Sequence, residues 1–239
     1  MHSTVRRVCL TGFGPFHQYD ENPSWLAVKR LRDEVLSFKD GSNAQITAIK
    51  IPVVYQEVLD TVPRLHEKPL SLPSDVQDGD RGIAEPFSLI VHVGVGAKGP
   101  LKFETLAHKS GYVSPDVRGA YAGIIQQDKH SAVARGFSGM RYTALDESLV
   151  THVNVPAIVN KLNAQAVNIV QSFDPGRYLC DFIYYCSLAE SKLSSRRTPT
   201  IFIHCPPVGE PLSTEEVADG LRKIILETLT SLYSVPSRL

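Results

Sequence analysis

Apolar and polar positions along this chain switch repeatedly between two periods, and the switches mark out its elements. "VRRVCLTGF" (5–13) reads as a strand running into a glycine-rich turn. In "ENPSWLAVKRLRDEVL" the period becomes helical, with Trp25, Val28, Leu31 and Val35 on one face. Asn22 stands at the N-cap position and Pro23 at the first helical position, where a missing N–H does no harm. "ITAIKIPVV" is a second strand, and "YQEVLDTVPRL" a helix weakened near its end by Pro63. "FSLIVHVGV" is a near-continuous apolar run, as expected for a strand buried on both faces. The helix "HVNVPAIVNKLNA" (despite Pro156), the strand "AVNIVQSF", a helix starting near Cys180 and the strand "TIFIHC" follow. The last element, "STEEVADGLRKIILETLTSLY", opens with a capping box from Ser213 to Glu216. It then sets Val217, Leu221, Ile224, Ile225, Leu229 and Leu232 on one stripe.

Two segments break this rhythm. "HEKPLSLPSDVQDGDRGIAEP" is rich in Pro, Gly, Asp and Ser, and reads as a long surface loop. From about Leu101 to Ser148 no clean period holds, and an irregular, hairpin-bearing excursion is expected. Strands alternating with helices predict an α/β fold, a sheet covered on both faces. No internal repeat or linker stands out, so residues 1–239 are expected to form one domain.

Charge narrows the partners. Lys+Arg and Asp+Glu both number 25, giving zero formal charge, with no run of one sign. A nucleic-acid or acidic-membrane partner therefore has no compositional support. No stretch is long and apolar enough for a membrane span, and the short first apolar run reads as a strand rather than a secretion signal. Four cysteines, irregularly spaced, do not make a disulfide scaffold; free thiols in a reducing cytosol are expected.

One thiol stands apart. In "DPGRYLCDFIYYCS", Cys180 sits where a tight turn opens into a helix. The unpaired N–H groups of a first helical turn favour thiolate over thiol, and the thiolate is the nucleophile. An inert buried thiol is the commoner fate of a cysteine, and Cys9, Cys186 and Cys205 keep that reading. A thiolate enzyme needs a proton carrier. His204, closing the strand "TIFIH", is rigidly held near the loop surface and suits that role, although a structural strand-end histidine reads equally well. His92 lies within a strand and is expected in the core. His17, His66, His108, His130 and His152 lie in polar or loop contexts. A third group should hold the imidazole; Glu104, after the strand and its glycine turn, is a candidate on the loop side of the sheet, although a lone glutamate more often reads as a solvated surface residue. Of the glycine clusters, "TGFGPF" lacks the third glycine of a dinucleotide fingerprint, "GVGAKG" has that spacing but runs into the aperiodic stretch from Leu101 rather than a helix, and neither has the Gly-Lys-Ser/Thr of a phosphate loop. Motifs for a metal hydrolase and for a serine nucleophile elbow are absent as well.

The ordered set "TGFGPF" with "NPSW", "HVGVG" with "ETLAHKSGY", "GRYLCDFIYYCSL" and "IFIHCPP" resembles the pyroglutamyl-peptidase I family of cysteine peptidases. The match runs from Val8 to about Leu232, in family order. The resemblance implies Cys180 as nucleophile, His204 as acid and base, and Glu104 as the group orienting it. It implies that Phe13 and Phe16 flank a pyrrolidone ring and that backbone at Val95 holds the lactam amide. It further implies a three-layer α/β/α domain with a mostly parallel mixed sheet, no cofactor, no metal, a cytosolic site, and small peptides bearing N-terminal pyroglutamate as partners. The segments at about 66–86 and 112–148 look like insertions, which leaves the leaving-residue preference and the assembly state open. A cysteine amidase of altered specificity, or a non-catalytic relative that binds pyroglutamyl peptides or a partner, remains as an alternative.

Overall fold

The structure, a computed structural model, describes residues 5–67, 85–126 and 133–233. Its centre is a seven-stranded sheet of β1 (Val5–Phe13), β2 (Val35–Ser37), β3 (Asn43–Ile51), β4 (Leu89–Val95), β5 (Leu101–Glu104), β10 (Ile169–Ser172) and β11 (Thr200–Cys205). Their spatial order is β10-β5-β11-β4-β1-β3-β2. The four central strands β11, β4, β1 and β3 are mutually parallel. Strand β5 runs antiparallel to β11 but parallel to β10, and β2 closes the other edge antiparallel to β3. Four short strands lie outside this sheet. They are β6 (Leu106–His108) paired with β9 (Ser148–Val150), and β7 (Ile124–Gln126) paired with β8 (Ala134–Arg135).

Strand alternation divides the core in two. Val8 and Leu10 of β1, Leu89, Val91 and Val93 of β4, and Ile201 and Ile203 of β11 face one side. There they pack under α1 (Pro23–Val28), α4 (Val155–Ala164) and α6 (Thr214–Tyr233). The alternate residues Cys9, Ile90 and Phe202 face α2 (Tyr55–His66) and α5 (Leu179–Leu193) on the other side. A remaining short helix, α3 (Met140–Thr143), belongs to the excursion between β5 and β9. The result is the expected α/β/α layering around a mixed, mostly parallel sheet.

The capping box of α6 forms in both directions: Ser213 N–H donates to Glu216 Oε2 at 2.8 Å, and Glu216 N–H to Ser213 Oγ at 3.2 Å. The predicted apolar stripe of α6 faces the core, with Leu232 at its edge. Pro156 lies in the first turn of α4, where its missing N–H was not needed. Pro63 does not stop α2, which continues to His66.

Three expectations are corrected. The helix predicted over 23–35 is α1 followed by a single 3-10 turn, Lys29–Leu31. Asp33 takes a left-handed conformation (φ 61°), and Val35 enters the edge strand β2, where it is half exposed. Local helical periodicity loses here to strand pairing with β3. The aperiodic stretch after Leu101 begins with β5, a strand of the main sheet. His66, read as polar or loop-like, is buried at the end of α2, with its Nε2 2.9 Å from Ser187 Oγ. The β7–β8 hairpin supplies the hairpin expected in the excursion. Most of the 66–86 segment, and His130, lie outside the described residues.

Candidate active site

The site begins with a turn. Asp174 Oδ1 accepts the Gly176 N–H at 3.1 Å, and Gly176 is left-handed (φ 83°), so the chain doubles back before α5. Tyr178 is the N-cap, which makes Cys180 the second residue of the helix. The first bond that closes the helix is Phe182 N–H to Tyr178 O at 2.9 Å. The N–H groups of Leu179, Cys180 and Asp181 precede it and lie at the positive end of a 15-residue helix. Cys180 is partly exposed, whereas Cys9, Cys186 and Cys205 are buried. Burial pushes the thiols of Cys186 and Cys205 up to about 12.

The imidazole comes from the sheet. His204 shares the α5-side face of β11 with Phe202, two residues earlier. In the antiparallel β5–β11 pair, Glu104 lies opposite Phe202 and is therefore diagonal to His204 on that same face. Its Oε1 is 2.8 Å from His204 Nδ1. Glu104 is fully buried, and its Oε2 has no hydrogen-bond partner among the described residues. Tyr184 of α5 donates its hydroxyl to the Glu104 carbonyl at 3.0 Å, which fastens the nucleophile's helix to the strand bearing the carboxylate. The sequence-based placement of Glu104 on the loop side is thus corrected: it sits within the sheet, because β5 runs opposite to its neighbour β11.

Cys180 is the other neighbour of the imidazole. Burial works against the charge of His204. The charge and hydrogen bonding of Cys180, joined by Glu104, outweigh it and push the imidazole up to about 9. Two glycines of "HVGVG" make room for these groups. A Cβ on Gly94 would lie 2.6 Å from the Cys180 sulfur, and one on Gly96 would lie 3.1 Å from His204 Cβ.

A cavity of about 190 Å³ opens beside the thiol. Phe13, Phe16, Val53 and Val95 give it apolar walls, and Cys180 and His204 stand at its reactive end. It is smaller than pockets for drug-sized ligands and suits a small ring. The Phe16 ring lies 5.4 Å from that of Tyr178, between centroids, and its loop is closed by reciprocal backbone bonds between Phe16 and Tyr19. Five residues singled out in the sequence (Phe13, Phe16, Val95, Cys180 and His204) therefore line one cavity, with Glu104 behind the imidazole.

Asn22, Arg177 and Asp181 also belong to this neighbourhood, and sequence reasoning gave none of them a functional role. Asn22 read as a helix cap, which it is. Asp181 follows the nucleophile but is fully buried. It accepts the His108 N–H at 2.9 Å and pairs with Arg177 at 3.6 Å. Burial outweighs those contacts and pushes its carboxyl up to about 8. Among the described residues, no cluster of three His, Cys, Asp or Glu side chains suits a metal ion, and no helix is long and apolar enough to cross a membrane.

Comparison with known proteins converges on one family. The family model described as pyroglutamyl peptidase matches residues 6–69. The chain is 31% identical to pyroglutamyl-peptidase 1 of Homo sapiens over 237 residues, covering 97% of this chain and 94% of that protein. It is 25% identical over 232 residues to pyrrolidone-carboxylate peptidase of Thermococcus onnurineus, covering 96% of each. Among solved structures, pyrrolidone carboxyl peptidase from Thermococcus litoralis has a TM-score of 0.73 at 16% identity, covering 98% of this chain and 100% of that one. Pyroglutamyl peptidase I of Bacillus amyloliquefaciens has a TM-score of 0.69 at 20% identity, covering 94% and 97%. At those identities the two structures attest the shared fold.

Proposed function

The chain belongs to the pyroglutamyl peptidase family, and on that premise we propose that it is a cysteine peptidase that removes pyroglutamate from the N-terminus of peptides, with Cys180, His204 and Glu104 as its catalytic machinery. The observation that carries this reading is the meeting of Cys180 and His204 at the mouth of a small aromatic-walled cavity, with Glu104 bonded to the far side of the imidazole. A pyroglutamyl residue has no charged amine, so its recognition depends on an apolar slot with a few polar contacts. Phe13 and Phe16 serve as walls for the ring, and backbone at Val95 serves the lactam amide.

The reaction runs in two halves. Cys180 sulfur, as thiolate, attacks the carbonyl carbon joining pyroglutamate to the next residue, and that carbonyl oxygen becomes anionic. Unpaired N–H groups of the first turn of α5, including that of Cys180, are positioned to meet this charge. The C–N bond then breaks as His204 gives its proton to the departing amine, leaving a thioester. In the second half the neutral imidazole takes a proton from water, hydroxide adds to the thioester carbon, and the C–S bond breaks. Free pyroglutamate and the Cys180 thiolate result. Glu104 fixes the imidazole by its Nδ1–H and stabilises the cationic form in each half.

Hydrolysis of a pyroglutamyl-coumarin amide, set beside the prolyl and glutaminyl amides, tests the reading. Turnover of the pyroglutamyl reporter alone is expected. Cys180→Ala and His204→Ala abolish it while the fold persists, and Phe13→Ala raises KM. Full activity in Cys180→Ala would end the assignment.

A further inference from the structure

We infer that Asn22 is a specificity residue whose side-chain Nδ2–H donates a hydrogen bond to the lactam carbonyl of the substrate. This rests on the pyroglutamyl-peptidase reading above. Asn22 borders the cavity and is 2% exposed. Its amide orientation is set by its neighbours. Phe13 N–H donates to Ser24 Oγ at 3.0 Å, so the Ser24 hydroxyl proton is free to point the other way, to Asn22 Oδ1 at 2.8 Å. The Ser24 N–H donates to the same Oδ1 at 3.1 Å. With the oxygen held by two donors, the amide nitrogen is the end left over. Nδ2 makes no hydrogen bond among the described residues, yet it is not among the sealed, partnerless atoms of the interior. It therefore opens onto the cavity.

The other polar side chains of that cavity each have at least one partner. Tyr178 donates its hydroxyl to the Pro115 carbonyl at 3.1 Å. Arg177 directs its Nη1 to the Gly176 carbonyl and toward Asp174 and Asp181. His204 holds Glu104 through Nδ1 at 2.8 Å. Asn22 thus supplies an uncommitted side-chain donor beside the apolar walls of Phe13, Phe16, Val53 and Val95. A buried donor without a partner is costly, and a ligand carbonyl removes the cost. Capping alone does not require this residue, because Ser, Thr and Asp cap about as well; what asparagine adds is the second, donating end. Ser24 also anchors the Phe13 backbone, so donor and ring wall are held by one hydroxyl.

Two variants retain a capping acceptor and delete the donor: Asn22→Asp, and Asn22→Ser, whose hydroxyl is too short to reach the ring. Both are expected to keep the wild-type melting temperature. Both should lose about 10- to 100-fold in kcat/KM for the pyroglutamyl-coumarin amide, chiefly through KM. Their affinity for 2-pyrrolidone, measured by calorimetry, should fall by a similar factor. Retention of wild-type KM and 2-pyrrolidone affinity by Asn22→Ser would overturn the inference and leave Asn22 as a cap. Wild-type protein that binds 2-pyrrolidone but fails to cleave the amide would instead count against the peptidase reading.

Discussion

Gly94→Ala tests whether the space above β4 is part of the catalytic arrangement. The new methyl group would stand 2.6 Å from the Cys180 sulfur and 2.8 Å from Phe202 Cζ. Ordinary contact needs about 3.5 Å, so the sulfur must withdraw by close to 1 Å or turn to another rotamer. Either movement takes it from His204. Phe202 offers no relief, because it is fully buried and its ring centroid lies 4.8 Å from that of His204. Pushing Phe202 disturbs the imidazole as well. A displacement of about 1 Å at the reacting atoms costs roughly 100-fold in rate, and that loss in kcat is the expected result. Overpacking adds a stability loss of about 1–3 kcal/mol, seen as a lower melting temperature. Gly139→Ala is the control, since its φ of −72° suits alanine and nothing lies within 4 Å of the added carbon. Steady-state hydrolysis of the pyroglutamyl-coumarin amide and the rate of Cys180 alkylation together separate a displaced thiol from a misfolded protein. A Gly94→Ala enzyme with wild-type kcat and alkylation rate would refute the reasoning.

Three further outcomes are expected. With the imidazole pushed up to about 9, kcat/KM should fall above that pH as His204 loses the proton destined for the leaving amine. Glu104→Gln removes one of the charges that hold the proton, so this limb should move to lower pH; an unmoved limb would sever Glu104 from His204. Iodoacetamide at pH 7.5 should label the folded protein once, at Cys180, because the other three thiols are buried, and labelling at Cys186 or Cys205 would contradict that burial. Asp181 holds its proton more tightly folded (about 8) than at its ordinary value of 3.8. Its contribution to stability is therefore present below about pH 4 and lost as pH rises through about 8, and urea titrations should show a shallower decline in Asp181→Asn.

Where side-chain pattern and element agree, the sequence was sufficient. The α6 stripe and capping box, the strand of β4, and a cysteine at the opening of α5 were all read from local chemistry. The site residues emerged from four motifs in family order, since no single spacing brings Glu104 and His204 together across 100 positions. β5 is not legible in the sequence because "LKFE" is four residues long and alternates apolar with charged side chains, as a surface turn also does. Its second charged residue, Glu104, is buried on the α5 side, and only the pairing with β11 and β10 reveals that. The truncated α1 has a similar cause. Trp25, Val28 and Leu31 are indeed buried, but the next apolar residue of the period, Val35, belongs to an edge strand set by β3.

The reversed direction of β5 has a consequence for how this protein fails. The carboxylate that steers the imidazole is carried on a strand of the main sheet that is paired on both sides, by β10 and β11. Catalytic competence and the cohesion of the sheet should therefore disappear in one step as denaturant is added, with no inactive but still ordered stage in between.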